Sequence, residues 1–153
     1  MNDLPRRLAA AHHSRSADLS AARRWTYGTV TGPVARLVGG TTDAEYQAGA
    51  LTAQAFATWN SGRATPHPGA KGSSLGTAMR QIGTAGDYGP RNVTACRLLD
   101  SLLAAPNGPA LQRCLVAIIN ALRSANHPPH WGTLYTDLID WHDPKKQAAV
   151  RLR

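Results

Sequence analysis

The sequence predicts an all-α protein, and three observations favour this fold class. Apolar residues recur at intervals of three and four in several stretches, which is the periodicity of amphipathic helices. No stretch shows the sustained alternation of β-branched residues that is typical of strands, and no internal repeat is present. The chain has 153 residues, of which 42% are hydrophobic, so it can bury the core of one domain or of two small subdomains.

The first part of the chain predicts little regular structure. Residues 1–18 are polar and basic, and they predict a flexible lead-in. A short helix is expected over residues 18–27, where it carries Arg23 and Arg24. The segment 28–41 is rich in Gly and Thr, so we expect a loop there with one helical turn at most.

A longer helix is predicted from Thr41 or Thr42 to about Trp59. Acidic side chains lie in its first turn, where the helix dipole favours them. Its alanine-rich face allows a neighbouring helix to approach closely. The following segment 60–74 is rich in Gly, Pro and Ser and carries Arg63. We interpret it as a basic loop that is either a solvated linker or a nucleic-acid contact.

The second half predicts three more helices, over residues 73–82, 90–105 and 107–123. Asn107 is expected to cap the last of these. The tight connection before it predicts that the second and third of these helices pack as an antiparallel pair. The third has the clearest apolar face, formed by Leu111, Leu115, Ile118, Ile119 and Leu122. We therefore expect it to lie in the core.

The end of the chain predicts two more helical segments. After a proline-rich break at 127–130, the helical spacing of apolar residues recurs from Trp131. An Asp-Pro pair at 143–144 then carries the cap and proline signals that start a helix. This last helix is expected to hold the basic residues Lys145 and Lys146.

The charge balance predicts an acidic polymer as the partner of this protein. The chain has 17 Lys and Arg residues against nine Asp and Glu, which gives a formal net charge of +8. Most of the cations are Arg, whose planar fork binds phosphate in a bidentate manner. Charge and helix position mark Arg80, Arg91 and Arg123 as candidate nucleic-acid contacts. Aromatic residues are only 6%, so we expect contact with the backbone rather than stacking on bases.

No arrangement of residues predicts catalysis, and we expect no enzyme activity, metal or cofactor. The metal-binding alternative is an enzyme or metal protein that uses His127, His130 and Asp143. A zinc site of His127, His130 and His142 lacks a Cys pair or a fourth ligand at the usual spacing. A metal held by Asp137 and Asp140 with His142 and Asp143 is a further alternative. Asp137 and Asp140 are interpreted as polar residues on the solvent face of a helix. The single Glu, Glu45, is explained by its position at a helix N-terminus.

Five motifs, in their order and spacing, resemble the small subunit of the type I-E CRISPR surveillance complex, Cascade, which is known as the CasB family. They are S-L-G-T-A-M at 74–79, R-L-x-x-x-L-L at 97–103, L-x-R-x-L-V at 111–116, H-W followed by L and W at 130–141, and K-K followed by V-R at 145–151. The resemblance covers about residues 45–153, and the pair Arg23-Arg24 lies where the family often has two arginines. Leu98 replaces the usual aromatic residue, His130 replaces the usual aspartate, and the sequence stops before the family's final Trp-Ala stretch.

This resemblance implies two small helical bundles packed into one compact chain. We expect residues 19–72 to form an N-terminal helical part with its basic loop, and residues 73–153 to form a C-terminal helical bundle. The resemblance also implies a non-catalytic subunit, present in two copies beside the other Cascade subunits. It would bind along the guide RNA–target DNA region and stabilise the displaced strand of the R-loop in antiviral defence. Carried over onto this sequence, the binding residues are Arg23, Arg24, Arg97, Arg113, Lys145 and Lys146.

The alternative is a free-standing helical regulator that binds DNA or RNA. Such a protein needs a recognition helix with polar residues on an exposed face, and the helix at 107–123 is too apolar for that role. The sequence predicts neither a membrane span nor a secretory signal, because no long apolar run occurs. Cys96 and Cys114 are interpreted as buried thiols in a reducing compartment, so we expect a cytoplasmic location.

Overall fold

A computed structural model of the chain describes residues 3–40, 42–67, 69, 74–82 and 93–147. The described residues form eight α-helices and no strand, so the predicted all-α fold is confirmed. The helices are α1 (Leu4–His13), α2 (Ala17–Arg23), α3 (Gly32–Val38), α4 (Asp43–Trp59), α5 (Leu75–Arg80), α6 (Val93–Ala104), α7 (Pro109–Ala125) and α8 (Trp131–Trp141).

Helix α4 is the centre of the fold. It is buried on nearly all sides, and α1, α2, α3, α7 and α8 all pack against it. Small residues make this possible, because their short side chains let neighbouring helix backbones approach closely. Thr42 begins the helix by accepting a hydrogen bond from Glu45 N at 3.1 Å, as the capping signal predicts. The predicted helix ending at Trp59 is thus observed.

The predicted flexible lead-in differs from the structure, because most of it forms helix α1. Leu4 and Leu8 are both fully buried, and Ala11 continues the same stripe at i, i+4 and i+7. Arg7 Nη2 also donates a hydrogen bond of 2.8 Å to Val38 O at the end of α3. The expectation of a disordered segment was wrong because this short apolar stripe is surrounded by polar and basic residues.

Two neighbouring helices also differ from their predicted bounds. Helix α2 ends at Arg23 rather than near residue 27, because the following residues turn to meet α4 and α7. The segment predicted as a loop with one helical turn contains the whole of α3, whose Val34, Leu37 and Val38 are buried. Tertiary burial therefore stabilises a short helix that its Gly- and Thr-rich surroundings disfavour.

Helices α6 and α7 pack against each other across a four-residue connection, as predicted. The five aliphatic residues of the α7 face are 0–2% exposed, which confirms that this helix belongs to the core. The predicted cap is wrong, because Gly108 rather than Asn107 precedes the helix. The amide of Asn107 donates instead to Trp141 O at 3.4 Å. The predicted α6 start at Pro90 lies outside the described residues.

Helix α8 begins where the sequence predicts. His130 caps it through Nδ1, which accepts a hydrogen bond of 3.2 Å from Thr133 N. After α8, Asp143 O accepts from Lys146 N and Gln147 N, which is the geometry of a first helical turn. The rest of that predicted helix lies outside the described residues. In the described part of the chain, every helix is too short or too polar to cross a lipid bilayer.

Candidate nucleic-acid interface

Eight of the nine predicted nucleic-acid-binding residues lie in the described part of the chain, and all eight are exposed. They are Arg23, Arg24, Arg80, Arg97, Arg113, Arg123, Lys145 and Lys146. The ninth, Arg91, lies outside the described residues. The helices place their apolar stripes inward, so these cations remain on the surface. Their exposure meets the first requirement for contact with a phosphate backbone.

The Arg23-Arg24 pair is held by a network of two side-chain amides. Gln54 Nε2 on α4 donates to Arg23 O at 3.1 Å and to Trp25 O at 3.0 Å. Gln112 Nε2 on α7 donates to the same Trp25 carbonyl at 2.7 Å and to Gln54 Oε1 at 2.8 Å. These bonds fix the backbone that carries the two arginines, while leaving their guanidinium groups in solvent.

Three further arginines lie in the second half of the chain. Arg97 and Arg113 project from the packed helices α6 and α7, and both are exposed. Arg80 ends α5 and lines a small apolar groove of about 120 Å³, whose other residues are mainly leucines of α5–α8. These positions spread positive charge over several elements instead of collecting it on one helix.

Two predicted cations have partners within the protein. Arg123 Nη2 donates to Ser61 O at 2.6 Å, which ties the end of α7 to the loop after α4. Lys146 Nζ lies 3.5 Å from Asp140 Oδ1 at the end of α8. Among the described members of the predicted set, Lys146 is the only one in an ion pair, so most of the positive charge is not neutralised internally.

A groove between α1–α2 and the end of α4 brings Arg23 together with cations that the predicted set lacks. We call it the basic groove and define it by His12, His13, Arg15, Arg23 and Arg63. Arg15 and Arg63 are distant in sequence, and only the packing of α1 and α2 on α4 brings them to one site. No local sequence signal could have grouped them.

Two histidines of the metal-binding alternative, His130 and His142, have structural roles. Besides capping α8, His130 Nδ1 bonds to Thr133 Oγ1 at 2.9 Å. His142 Nδ1 donates to Leu138 O at 2.7 Å, so its Nε2 accepts from the Tyr27 hydroxyl at 2.9 Å. Within the described residues, no three His, Cys, Asp or Glu side chains lie close enough to hold a metal ion.

Comparison with known proteins relates the chain to one family. The family model described as CRISPR-associated protein Cse2 matches residues 6–153. The crystal structure of CasB from Thermobifida fusca superposes with a TM-score of 0.78 and covers 99% of this chain and 90% of that chain. The two sequences are 18% identical, so this likeness shows a shared fold. No match was found among curated protein sequences.

Proposed function

Because the chain belongs to the CRISPR-associated Cse2 family, which supplies the small subunit of the type I-E Cascade complex, we propose that it binds nucleic-acid backbone within that complex. In this proposal it lies along the guide RNA–target DNA region and stabilises the displaced strand of the R-loop. It does so without catalysis, next to a second copy of itself and the other Cascade subunits. The proposed contacts are Arg23, Arg24, Arg80, Arg91, Arg97, Arg113, Arg123, Lys145 and Lys146.

The observation that carries the proposal is a set of exposed cations without acidic partners. Seven of the eight described cations of the proposed set have no carboxylate within ion-pair distance in the described residues. An unpaired cation on the surface loses little when it exchanges water for phosphate, and it releases counterions from the strand. The net charge of +8 adds long-range attraction for the same ligand.

The burial of the tryptophans and of Phe56 supports contact with the backbone rather than with bases. All four tryptophans are at most 5% exposed, and Phe56 is 1% exposed, so none of these rings offers a face on which a base could stack. A strand that has been displaced by base pairing with guide RNA has already been selected by sequence. A protein that binds this strand therefore needs cationic side chains that contact its phosphates, and it needs no base-specific contacts.

The test is to neutralise the Arg23-Arg24 pair in assembled Cascade and to measure binding to an R-loop substrate over a range of salt concentrations. Replacing both residues by Gln should weaken binding and reduce the slope of log affinity against log salt by about 1.4 to 1.8, because two phosphate contacts are lost. The control Arg6→Gln removes an exposed charge outside the proposed set, and Arg6 has no ion-pair partner among the described residues.

Both complexes must first contain the subunit at its normal ratio, so that a loss of binding reflects contacts and not assembly. An unchanged salt slope in the Arg23-Arg24 variant, or an equal change in the control, would contradict the role of this pair. Retention of the chain outside any ribonucleoprotein would instead favour the free-standing regulator.

A further inference from the structure

The basic groove is a concave site with one sign of charge. It has a cavity volume of about 390 Å³ and lies between the end of α1, the α1–α2 turn, α2, and the end of α4 with its following loop. Three arginines and two histidines line it, and no Asp or Glu is among the described lining residues. The nearby carboxylate of Asp18 is bonded to Arg36 Nη2 at 2.9 Å. A concave surface of this composition concentrates positive potential.

Arg63 is held in one orientation within this groove. Its Nε donates to Trp59 O at 3.3 Å, and its guanidinium carbon lies 5.2 Å from the centroid of the Trp59 ring. Its two terminal nitrogens have no hydrogen-bond partner in the described part of the chain. A guanidinium fixed in this way presents both of these nitrogens to a ligand and loses little side-chain entropy on binding.

The opposite wall is fixed by the turn between α1 and α2. Ala11 O accepts from Ser16 N at 2.9 Å and from Ser14 Oγ at 3.2 Å, which closes the turn. Arg15 lies at the centre of the turn with a φ of 53°, a left-handed conformation that side chains with a Cβ rarely adopt. Its exposed side chain has no internal partner in the described residues.

The two walls are joined, so the groove is preformed. His12 Nε2 donates to Arg63 O at 2.8 Å, a direction that follows because a carbonyl oxygen can only accept. Asn60 is fully buried, where it accepts from His67 N at 2.8 Å and donates to Phe56 O at 3.1 Å. These bonds hold the loop after α4 in place without using the groove arginines.

Helix dipoles oppose anion binding here, but they are the smaller effect. The C-termini of α1 and α4 both lie at the groove, and each contributes the equivalent of roughly half a negative charge. Three arginine charges exceed these two partial charges together. The same helix ends explain why cationic side chains gather there, and the excess positive charge remains for a ligand.

We propose that the basic groove is a discrete phosphate-binding site, in which Arg15, Arg23 and Arg63 bind one phosphate group of a nucleic-acid strand. The inference rests on the proposed function for the source of the phosphate. It goes further by assigning Arg15 and Arg63 as ligands and by placing Arg23 among them. Arg63 provides the oriented fork, and Arg15 and Arg23 provide charge from the facing wall.

The test uses the full-length isolated chain and a labelled single-stranded oligonucleotide, with binding measured by fluorescence anisotropy at several salt concentrations. Replacing Arg15 and Arg63 by Gln should reduce the slope of log affinity against log salt by about 0.7, the value for one phosphate contact with a single strand, because the groove arginines bind the same phosphate group. The control Arg6→Gln removes one exposed charge outside the groove, from a residue without an ion-pair partner among the described residues, and should keep the wild-type slope. Comparing the affinities of oligonucleotides with and without a 5′-phosphate shows whether the groove binds a terminal or an internal phosphate. Adding inorganic phosphate as a competitor shows whether the groove also binds the free anion.

A second variant separates binding from folding. Arg15→Gly removes one charge and suits the left-handed backbone, so its thermal stability should equal or exceed that of the wild type while its affinity falls. Equal slopes in the groove variant, the control and the wild type would overturn the phosphate site and leave the proposed function standing. The proposed function would be contradicted, and the phosphate site retained, by a different pair of results. In that case the Arg23-Arg24 variant binds the R-loop like the wild type, whereas the groove variant of the isolated chain still shows a reduced slope.

Discussion

Tyr27 connects three elements through one residue. Its backbone N–H donates to Gln112 Oε1 on α7 at 2.9 Å, and its hydroxyl donates to His142 Nε2 after α8 at 2.9 Å. Its ring lies parallel to the imidazole of His142 and 5.8 Å from the ring of Trp25. The segment after α2, which carries Arg24 at its start, is thereby fixed to the second half of the chain.

The ionisation of Tyr27 predicts how stability changes at high pH. Burial, and secondly the negative charge of Asp43, raise the pKa of Tyr27 above the usual value of about 10. The folded state therefore holds this proton more tightly than the unfolded chain does. The stability that this provides is complete below pH 10 and is lost as the pH rises through 10 and through the higher folded-state pKa.

Tyr27→Phe should accordingly make the alkaline decline of the melting temperature less steep. The variant should also lose about 1 kcal/mol at neutral pH, because the hydrogen bond to His142 is removed. Tyr135→Phe is a second case, since burial and then Glu45 raise the pKa of Tyr135 against the opposing charge of Arg7. If the melting temperature of Tyr27→Phe declines with rising pH as steeply as that of the wild type, ionisation of the Tyr27 hydroxyl does not contribute to alkaline unfolding.

At the residue scale, the sequence predicted exposure better than it predicted partners. Polar positions on amphipathic helices point outward, so the exposure of Arg97 and Arg113 follows from the period of the helix. The contacts of Arg123 with Ser61 and of Tyr27 with His142 join positions 62 and 115 residues apart. Such pairs depend on how the helices pack, which local patterns do not encode.

At the element scale, helices α3 and α4 meet at a glycine. A Cβ atom at Gly49 would lie 2.9 Å from Val38 Cβ and 3.6 Å from the Tyr135 ring. Val38 is buried and β-branched, so it has little freedom to move away. The close packing of α3 on α4 therefore depends on the missing side chain at this position.

Gly49→Ala should destabilise the protein, although alanine favours helices. The gain in helix propensity is about 0.5–1 kcal/mol, whereas overpacking a filled core costs about 1–3 kcal/mol. Urea unfolding should therefore show a net loss of stability. A net gain of stability in Gly49→Ala would mean that α3 can move away from α4.

The sequence allowed a helix to be predicted where its apolar stripe was long and regular. The five-residue face of α7 and the start of α8 at Trp131 follow directly from spacing and breaks in the sequence. Helices α1 and α3 were not predicted as full helices, because ten- and seven-residue segments have too few turns to show a clear period. Their stability comes from burial of Leu4, Leu8 and Val34 against other elements.

At the scale of the whole molecule, the buried residues of the described chain form one core. This core runs from Leu4 in α1 to Trp141 in α8, with Phe56 and Trp59 of α4 in contact with Trp131. The division into residues 19–72 and 73–153 remains a prediction, and its boundary lies outside the described residues. Because α4 packs on helices from both parts, we expect the two parts to be coupled in folding.

Leu115→Asp tests this coupling. Leu115 is 2% exposed in α7, and an unpaired buried carboxylate costs several kcal/mol, which is comparable to the total stability of a small domain. If the core is one cooperative unit, hydrogen exchange should become fast in α4 as well as in α7. The control Asn120→Asp places the same charge on the exposed side of α7 and should leave exchange slow throughout. Fast exchange in α7 with protection retained in α2, α3 and α4 would show that the N-terminal part folds on its own, and that the contacts of α4 with α7 and α8 act as an interface between two bundles.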